Sequence, residues 1–365
     1  MGETSFTFRK LDDPAGLAAD WRALEERADC AFFLSWDWIG CWLATVETEV
    51  FVLQGCAGGR IVALGLLCPV RRKRFGLFMD DSLYLNQTGD PQADRIAIEY
   101  NGMLLDREAP KDAAQESLRA LVEGDGPPWN QLFLRGLSDS FTATLVASGY
   151  RARLRSQSPT AGVDLESLRR AGRGYLEQRS ANTRAQIRRS IRRYEERGAV
   201  RLDAAGDVAQ GLEFFRDMDV FHRRYWNGRG GPGAFSSPFA AAFHRRLIET
   251  VLPRGHVELL RLSAGDNAIG YLYNFIYRNT VSYYASGFVY EQDNRLKPGL
   301  VAHTMCIERH LTEGRDRYDF MAGAARYKKS LGETGPDISA YVLERPGAKL
   351  IVKNGLRRIR DFARR

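Results

Sequence analysis

No run of 18 uninterrupted apolar residues occurs in the 365-residue chain, so no bilayer-spanning helix is expected. Cysteine is sparse. Cys30, Cys41, Cys56, Cys68 and Cys306 are odd in number, widely spaced and without a C-x-x-C pair. That pattern excludes a disulfide framework and has no zinc-site spacing, so all five are read as reduced core thiols and no metal is expected. The opening MGETSFTFRKLDDP lacks the basic-then-apolar build of a secretory leader. Phe6 stands where a myristoylation motif needs Ser or Thr, so the expectation is a cytoplasmic protein. The Gly-rich NGRGGPGAF (227–235) has no strand before it and no Lys-Ser/Thr after it, which excludes a nucleotide-binding fingerprint. A G-x-S-x-G nucleophile elbow is also missing.

What is present is a globular composition, 44% hydrophobic and 27% charged, at a length that fits two domains. The net charge of +8 is unevenly placed. Residues 169–201 hold eleven Arg and three Glu, and 349–365 hold seven Lys/Arg against Asp361. Two basic patches on an otherwise slightly acidic body call for anionic partners. In RSANTRAQIRRSIRRYEERG, Ile187, Ile191 and Tyr194 form a narrow apolar seam, with Ser180 as N-cap and Gly198 as stop. Arg184, Arg188 and Arg192 line one flank of that helix, and Arg189, Arg193 and Arg197 line the other. Arginine forks on this pattern suit bidentate phosphate contacts. A sequence-specific DNA helix is not expected, because no second helix at helix-turn-helix spacing precedes it. The tail AKLIVKNGLRRIRDFARR has separate apolar and basic faces, which fit peripheral contact with an anionic membrane or packing on its own domain.

The densest local signal runs from His256 to Gly332. Three runs rich in Val, Ile, Leu, Tyr and Phe are cut by AGDN (264–267) and RN (278–279), as in hairpin-linked strands. R-L-K-P-G (295–299) then opens a helix with Leu300, Met305, Ile307 and Leu311 on an expected buried stripe, closed by Gly314. A strand, RYDFMAG (317–323), leads into ARYKKSLG (325–332). A helix N-terminus carries unpaired N–H groups and a positive dipole end, which suit a pyrophosphate, and Arg295 and Lys297 add charge beside it.

The strand–turn–helix with R-x-K-P-G resembles the acyl-CoA site of the GNAT acyltransferase superfamily. SYYASGFVYEQDNRLKPG and YDFMAGAARYKKSLG are similar to its CelD-like branch, which is related to the FemABX peptidoglycan aminoacyltransferases. The F-x-S-x-x-W-x-x-x-W segment around Trp38 and Trp42 supports the likeness, although tryptophans at that spacing pack a core. The resemblance implies an α+β fold of tandem GNAT-like domains, each a mixed, mainly antiparallel sheet flanked by helices. A degenerate copy is expected over 1–165, with the donor-binding copy and basic tail over 166–365. VFVLQGCAGGRIVALGLLCPV and VELLRLSAGDNAIGYLYNFIY echo each other as such a duplication requires.

The resemblance also implies direct acyl transfer from acetyl-CoA or a longer acyl-CoA, without a covalent intermediate. Arg295 and the amides around Lys297, Pro298, Gly299, Leu300 and Val301 would hold the diphosphate. A bulged strand at Ser282–Gly287, with Ser286 and Gly287 its cofactor contacts, would expose the carbonyl and N–H groups that pair with pantetheine. Tyr283 and Tyr284 alternate across that strand, so only one faces the cleft as general acid. Lys328 matches the lysine expected to steady an oxyanion, Asp319 is the candidate base or orienting carboxylate, and His222 a further catalytic candidate. Arg184, Arg188, Arg192, Trp226 and Tyr327 are assigned to the acceptor, which the arginines make anionic. The glycine-rich loop is read as a lid. Polysaccharide or cell-envelope synthesis is the setting the family implies. Two alternatives stay open: a FemABX-type aminoacyl-tRNA donor, and a non-catalytic module gripping phosphates or nucleic acid.

Overall fold

The computed structural model describes residues 4–74 and 78–345, so the basic tail lies outside the described residues. They form two compact units, residues 4–157 with 338–345, and Ser158–Asp337.

The first unit contains β1 (Ser5–Lys10), α1 (Pro14–Arg27), α2 (Trp36–Leu43), β2 (Phe51–Ala57), β3 (Arg60–Arg74), β4 (Phe78–Leu85), β5 (Leu104–Leu105), α3 (Ala113–Glu123), β6 (Gln131–Leu137) and α4 (Asp139–Ala147). The chain leaves it within β7 (Ala152–Asp164). The second unit adds α5 (Leu165–Arg170), α6 (Ala181–Glu195), β8 (Val200–Ala204), α7 (Val208–Asn227), α8 (Pro238–Val251), β9 (Val257–Ala264), β10 (Asn267–Tyr277), β11 (Thr280–Phe288), α9 (Pro298–Thr312), β12 (Arg317–Ala322) and α10 (Arg326–Leu331). Within β13 (Glu333–Glu344) the chain returns to the first unit.

Each unit is a mixed, mainly antiparallel sheet with flanking helices, and the two repeat one pairing scheme. In the first, β1, β2, β3 and β4 pair antiparallel in turn, β4 pairs parallel with β6, and β6 pairs antiparallel with β13. In the second, β8, β9, β10 and β11 pair antiparallel, β11 pairs parallel with β12, and β12 pairs antiparallel with β7. The sixth strand of the first unit is therefore the last strand described, and that of the second is β7.

Local chemistry starts and stops these elements. Asp13, Ser35, Ser138 and Ser180 accept the first free N–H groups of α1, α2, α4 and α6. Trp21, Trp38 and Trp42 are buried core residues. In the second unit, Ile187 and Tyr194 of α6 join a core with Leu260, Leu272, Val301, Ile307 and Phe320.

Three irregularities shape the second unit around β11. The strand pairs with β12 only from Thr280 to Ser282, opposite Arg317 to Asp319, so beyond that point the two parallel strands lose contact. Tyr273 pairs with Ala285 and Asn274 with Tyr283, leaving Tyr284 as the extra residue of a β-bulge. Gly287 lets α7 approach closely, for a Cβ there would meet the Met218 carbonyl oxygen at 2.2 Å.

Two imidazoles are sealed into this unit. His244 lies among aromatic rings, with Nδ1 3.3 Å from the Tyr273 hydroxyl and Nε2 3.3 Å from the Tyr284 hydroxyl. His303 meets the Tyr318 hydroxyl at 2.9 Å through Nδ1 and stacks on Tyr327. Burial pushes each pKa down to about 3, and the Lys328 cation adds to the shift at His303.

Two outcomes follow for stability. Gly287→Ala should destabilise the protein by about 1–3 kcal/mol, read as a lower urea midpoint, because backbone rather than a flexible side chain blocks the new methyl. An unchanged midpoint would contradict the close approach. Both histidines are neutral when folded but protonate near pH 6.5 when unfolded. Their contribution is therefore complete above that pH and is lost as pH falls toward 3, by about 2 kcal/mol each at pH 5. His244→Gln should flatten the measured fall in stability between pH 7 and 5 by that amount, and an identical slope would refute the assignment.

Candidate active site

The resemblance places the donor's diphosphate at the start of α9. Its N-cap residue, Lys297, donates its backbone N–H to Ser190 Oγ of α6 at 2.8 Å. Pro298 has no N–H, and Val301 N–H is already paired with Lys297 O at 3.2 Å. Of the five residues expected to supply donors, the half-buried Gly299 and Leu300 thus keep amides with no partner among the described residues. Pro298 and Val301 do not fit the expected donor role. Among the described residues the Lys297 ammonium likewise makes no ion pair or hydrogen bond. Arg295 differs: its guanidinium grips both oxygens of Asp293, which holds that carboxyl well below the usual range. Its charge is largely neutralised before any ligand arrives.

Beside this turn lie the phenols of the fork between β11 and β12. Tyr283 Oη is 2.7 Å from Ser286 Oγ and is also hydrogen-bonded to the Tyr327 hydroxyl. Its ring meets His303 edge-on, with centroids 4.5 Å apart. Burial raises both phenols, Tyr327 further through Tyr283, so each stays protonated at neutral pH. Tyr284 points to the other side, toward His244 and Phe235. Phe288 packs under Gly299, where a Cβ would stand 3.3 Å from its ring.

His222 of α7 is engaged at both nitrogens. Ala234 N–H donates to Nε2 at 3.2 Å, which leaves Nδ1–H to donate to the Ser286 carbonyl at 2.9 Å. Burial lowers its pKa, favouring this neutral tautomer. It ties the glycine-rich loop to β11 and is not placed as a free base. The loop's far end is anchored by buried Phe235, packed on Phe215 and His244. Trp226 and Tyr290 remain exposed, each within 6 Å of the Tyr225 ring, and form an aromatic rim on this unit.

Asp319 and Lys328 come together around the bend that ends β12. Asp319 Oδ1 accepts Met321 N–H at 2.8 Å, holding Met321 at a φ of 60°. Lys328 Nζ donates to the carbonyls of Phe320, Met321 and Ala322 at 2.7, 3.3 and 2.6 Å. Three backbone carbonyls thus converge on one ammonium, which has three N–H bonds to give. The expectation that Lys328 serves as an oxyanion donor does not fit that geometry, and it braces the bend instead. The arginine flank is also rearranged. Arg184 donates to the Arg179 and Glu177 carbonyls, while Arg188 and Arg192 face outward and exposed. On the other flank, Arg193 and Arg197 bind Asp293 and Glu291, in the loop that leads to α9. The basic helix is joined to the loop that leads into the first turn of α9.

Sequence reasoning missed His303, Tyr318 and His244, whose partners lie across the fold. It also missed Glu258, Cys306 and His310, whose ligating atoms lie within 4.8 Å of one another, the metal-competent group found among the described residues. A groove in the first unit, between Phe8, Phe51, Pro69 and Pro128, contains none of the candidate residues.

Residues 181–329 match the family profile described as Acetyltransferase (GNAT) domain. FemX, in its crystal structure, superposes with a TM-score of 0.57 at 9% identity, over 92% of this chain and 97% of that one. L-PGS from Bacillus licheniformis gives 0.51 at 14% identity, over 93% and 94%. No curated protein sequence matches. The chain therefore carries a GNAT acetyltransferase domain over residues 181–329, within a FemX-like fold.

Proposed function

We propose that this chain is an acyl-CoA-dependent N- or O-acyltransferase of the CelD-like kind. It takes acetyl-CoA or a longer acyl-CoA and acylates an amine or hydroxyl of an anionic acceptor, in polysaccharide or cell-envelope synthesis. The carrying observation is the pair of unpartnered amides, Gly299 and Leu300, beside the free Lys297 ammonium at the start of α9. Helix N–H groups, dipole and cation together suit a diphosphate. The edge of β11 beyond Ser282, which β12 does not pair, would then take an extended pantetheine arm.

In this reading Tyr283 is the general acid, with Ser286 and Tyr327 fixing its hydroxyl. The acceptor attacks the thioester carbonyl, the C–S bond breaks, and the thiolate takes the phenol proton. The phenolate recovers a proton from the attacking nitrogen or oxygen. Asp319 and Lys328 act as positioning residues that hold the end of β12. The first unit is taken as a copy without a donor site, since no turn like Arg295–Gly299 opens a helix there. Free thiols throughout suit the cytoplasm; among the described residues no helix is long and apolar enough to cross a membrane.

A second reading has a specific motive. The fold is that of FemX, and Arg188 and Arg192 present an outward cationic face that suits a polyanion such as an aminoacyl-tRNA. The donors can be told apart by thermal shift. Acetyl-CoA or a longer acyl-CoA at a hundredfold excess over its Kd should stabilise the chain by about 2.7 kcal/mol. Stabilisation by aminoacyl-tRNA alone, steeply weakened by salt, would reverse the choice. With the acyl donor identified, Tyr283→Phe should lower kcat about 10²-fold with KM little changed. Full turnover in the folded variant would remove Tyr283 from the chemistry.

A further inference from the structure

We propose that Glu258, Cys306 and His310, completed by Asn274, form a structural metal site of the zinc class in the second unit. This is independent of the acyl donor. Cys306 and His310 stand four residues apart on α9, so both project from one face, and both are fully buried. Glu258 of β9 lies directly opposite Asn274 of β10 in the strand register. His310 Nε2 is 3.0 Å from Glu258 Oε2, and all three ligand atoms lie within 4.8 Å of one another. A tetrahedral site with bonds of about 2.0–2.3 Å separates its ligand atoms by roughly 3.3–3.5 Å, so His310 and Glu258 would part slightly and the wider gaps would close by at most about 1.3 Å.

Two further observations point to a cation. His310 turns its other nitrogen, Nδ1, to Glu313 Oε2 at 3.1 Å, and Arg309 holds both Glu313 and Glu258. A carboxylate behind an imidazole, fixing its tautomer, is the outer support that metal-bound histidines use. The second is Asn274. It has no solvent exposure, its Nδ2 reaches Glu258 Oε2 at 2.9 Å and Cys306 Sγ at 3.4 Å, and its Oδ1 has no hydrogen-bond partner. Rotating the amide by half a turn would aim Oδ1 at those same two groups. Without a cation that would set oxygen against carboxylate; with one it supplies a fourth ligand and resolves the orphaned atom.

Mixed nitrogen, sulfur and oxygen donors favour zinc over magnesium or calcium, which take oxygen alone. On binding, the metal–sulfur bond replaces the S–H bond of Cys306 and one proton leaves to solvent. The metal would then clamp α9 to β9 and β10. Cys306 is also hydrogen-bonded to Tyr318, which reaches His303 behind the phenols of the fork.

The test uses the whole chain, stripped with a chelator and titrated with Zn(II) or Co(II). One metal per chain is expected, with a raised melting temperature. The Co(II) form should show tetrahedral ligand-field bands and an intense thiolate charge-transfer band. Cys306→Ser should abolish the charge-transfer band. Glu313→Gln, at a half-exposed position behind the ligand, should weaken affinity about 10–100-fold with the fold retained. If Cys306→Ser does not fold, the wild-type cobalt spectrum decides. A chain that neither ion stabilises, or a cobalt form without a thiolate band, would overturn the proposal and leave a metal-free hydrogen-bonded cluster.

Discussion

The hydrogen bond from Lys297 N–H to Ser190 Oγ governs how the first turn of α9 is presented. A helix start has several unpaired amides, and this one disposes of them individually. The N-cap amide is bonded to α6, the next residue is proline, and only Gly299 and Leu300 remain open. Because α6 supplies the capping hydroxyl, its Arg193 and Arg197 fall beside the loop that feeds the turn, where Asp293 and Glu291 neutralise them. The residual positive character is local. It rests on two amides, a helix dipole and one ammonium rather than on the large formal charge of the basic segment.

The rest of the second unit gathers phenols and an imidazole next to that turn. Parallel pairing between β11 and β12 ends at Ser282 and Asp319, and strand alternation turns the consecutive tyrosines to opposite faces. Tyr283 thereby joins Ser286, Tyr327 and His303, while Tyr284 closes an aromatic pocket around His244. Lys328 holds three carbonyls of a bend that contains a left-handed methionine. Removing that cation would leave buried acceptors unsatisfied, which costs more than losing an ordinary hydrogen bond.

Much of this was legible in the chain, and the rest had physical reasons not to be. Strands cut by AGDN and RN, the helix opened by Pro298 and Gly299, and the Ser180 cap are local signals and stand where local rules put them. The buried face of α9 is different. Leu300, Met305 and Leu311 are only half-buried, whereas His303, Thr304, Cys306 and His310 are sealed in. The helix is packed by α5, α6, α10 and β10, so it has no single apolar stripe. Its polar groups are tolerated because Tyr318, Glu258 and Asn274 reach them from distant strands, a pairing no spacing rule reveals. The closing strands were equally hidden, since each unit is completed by a segment that follows the other's core in sequence. Lys328 and His222 looked like reactants because their residue types suit the chemistry; their hydrogen bonds show both holding backbone in place.

The most direct measurement is an amide spectrum of ¹⁵N-glycine-labelled protein titrated with a non-reactive acyl-CoA analogue, with the Gly299 signal assigned by substitution. A large shift of that amide, saturating in step with binding, is the result expected of a diphosphate seated on α9. Saturable binding that leaves the Gly299 signal unmoved would contradict it, and the donor would have to be sought elsewhere on the protein.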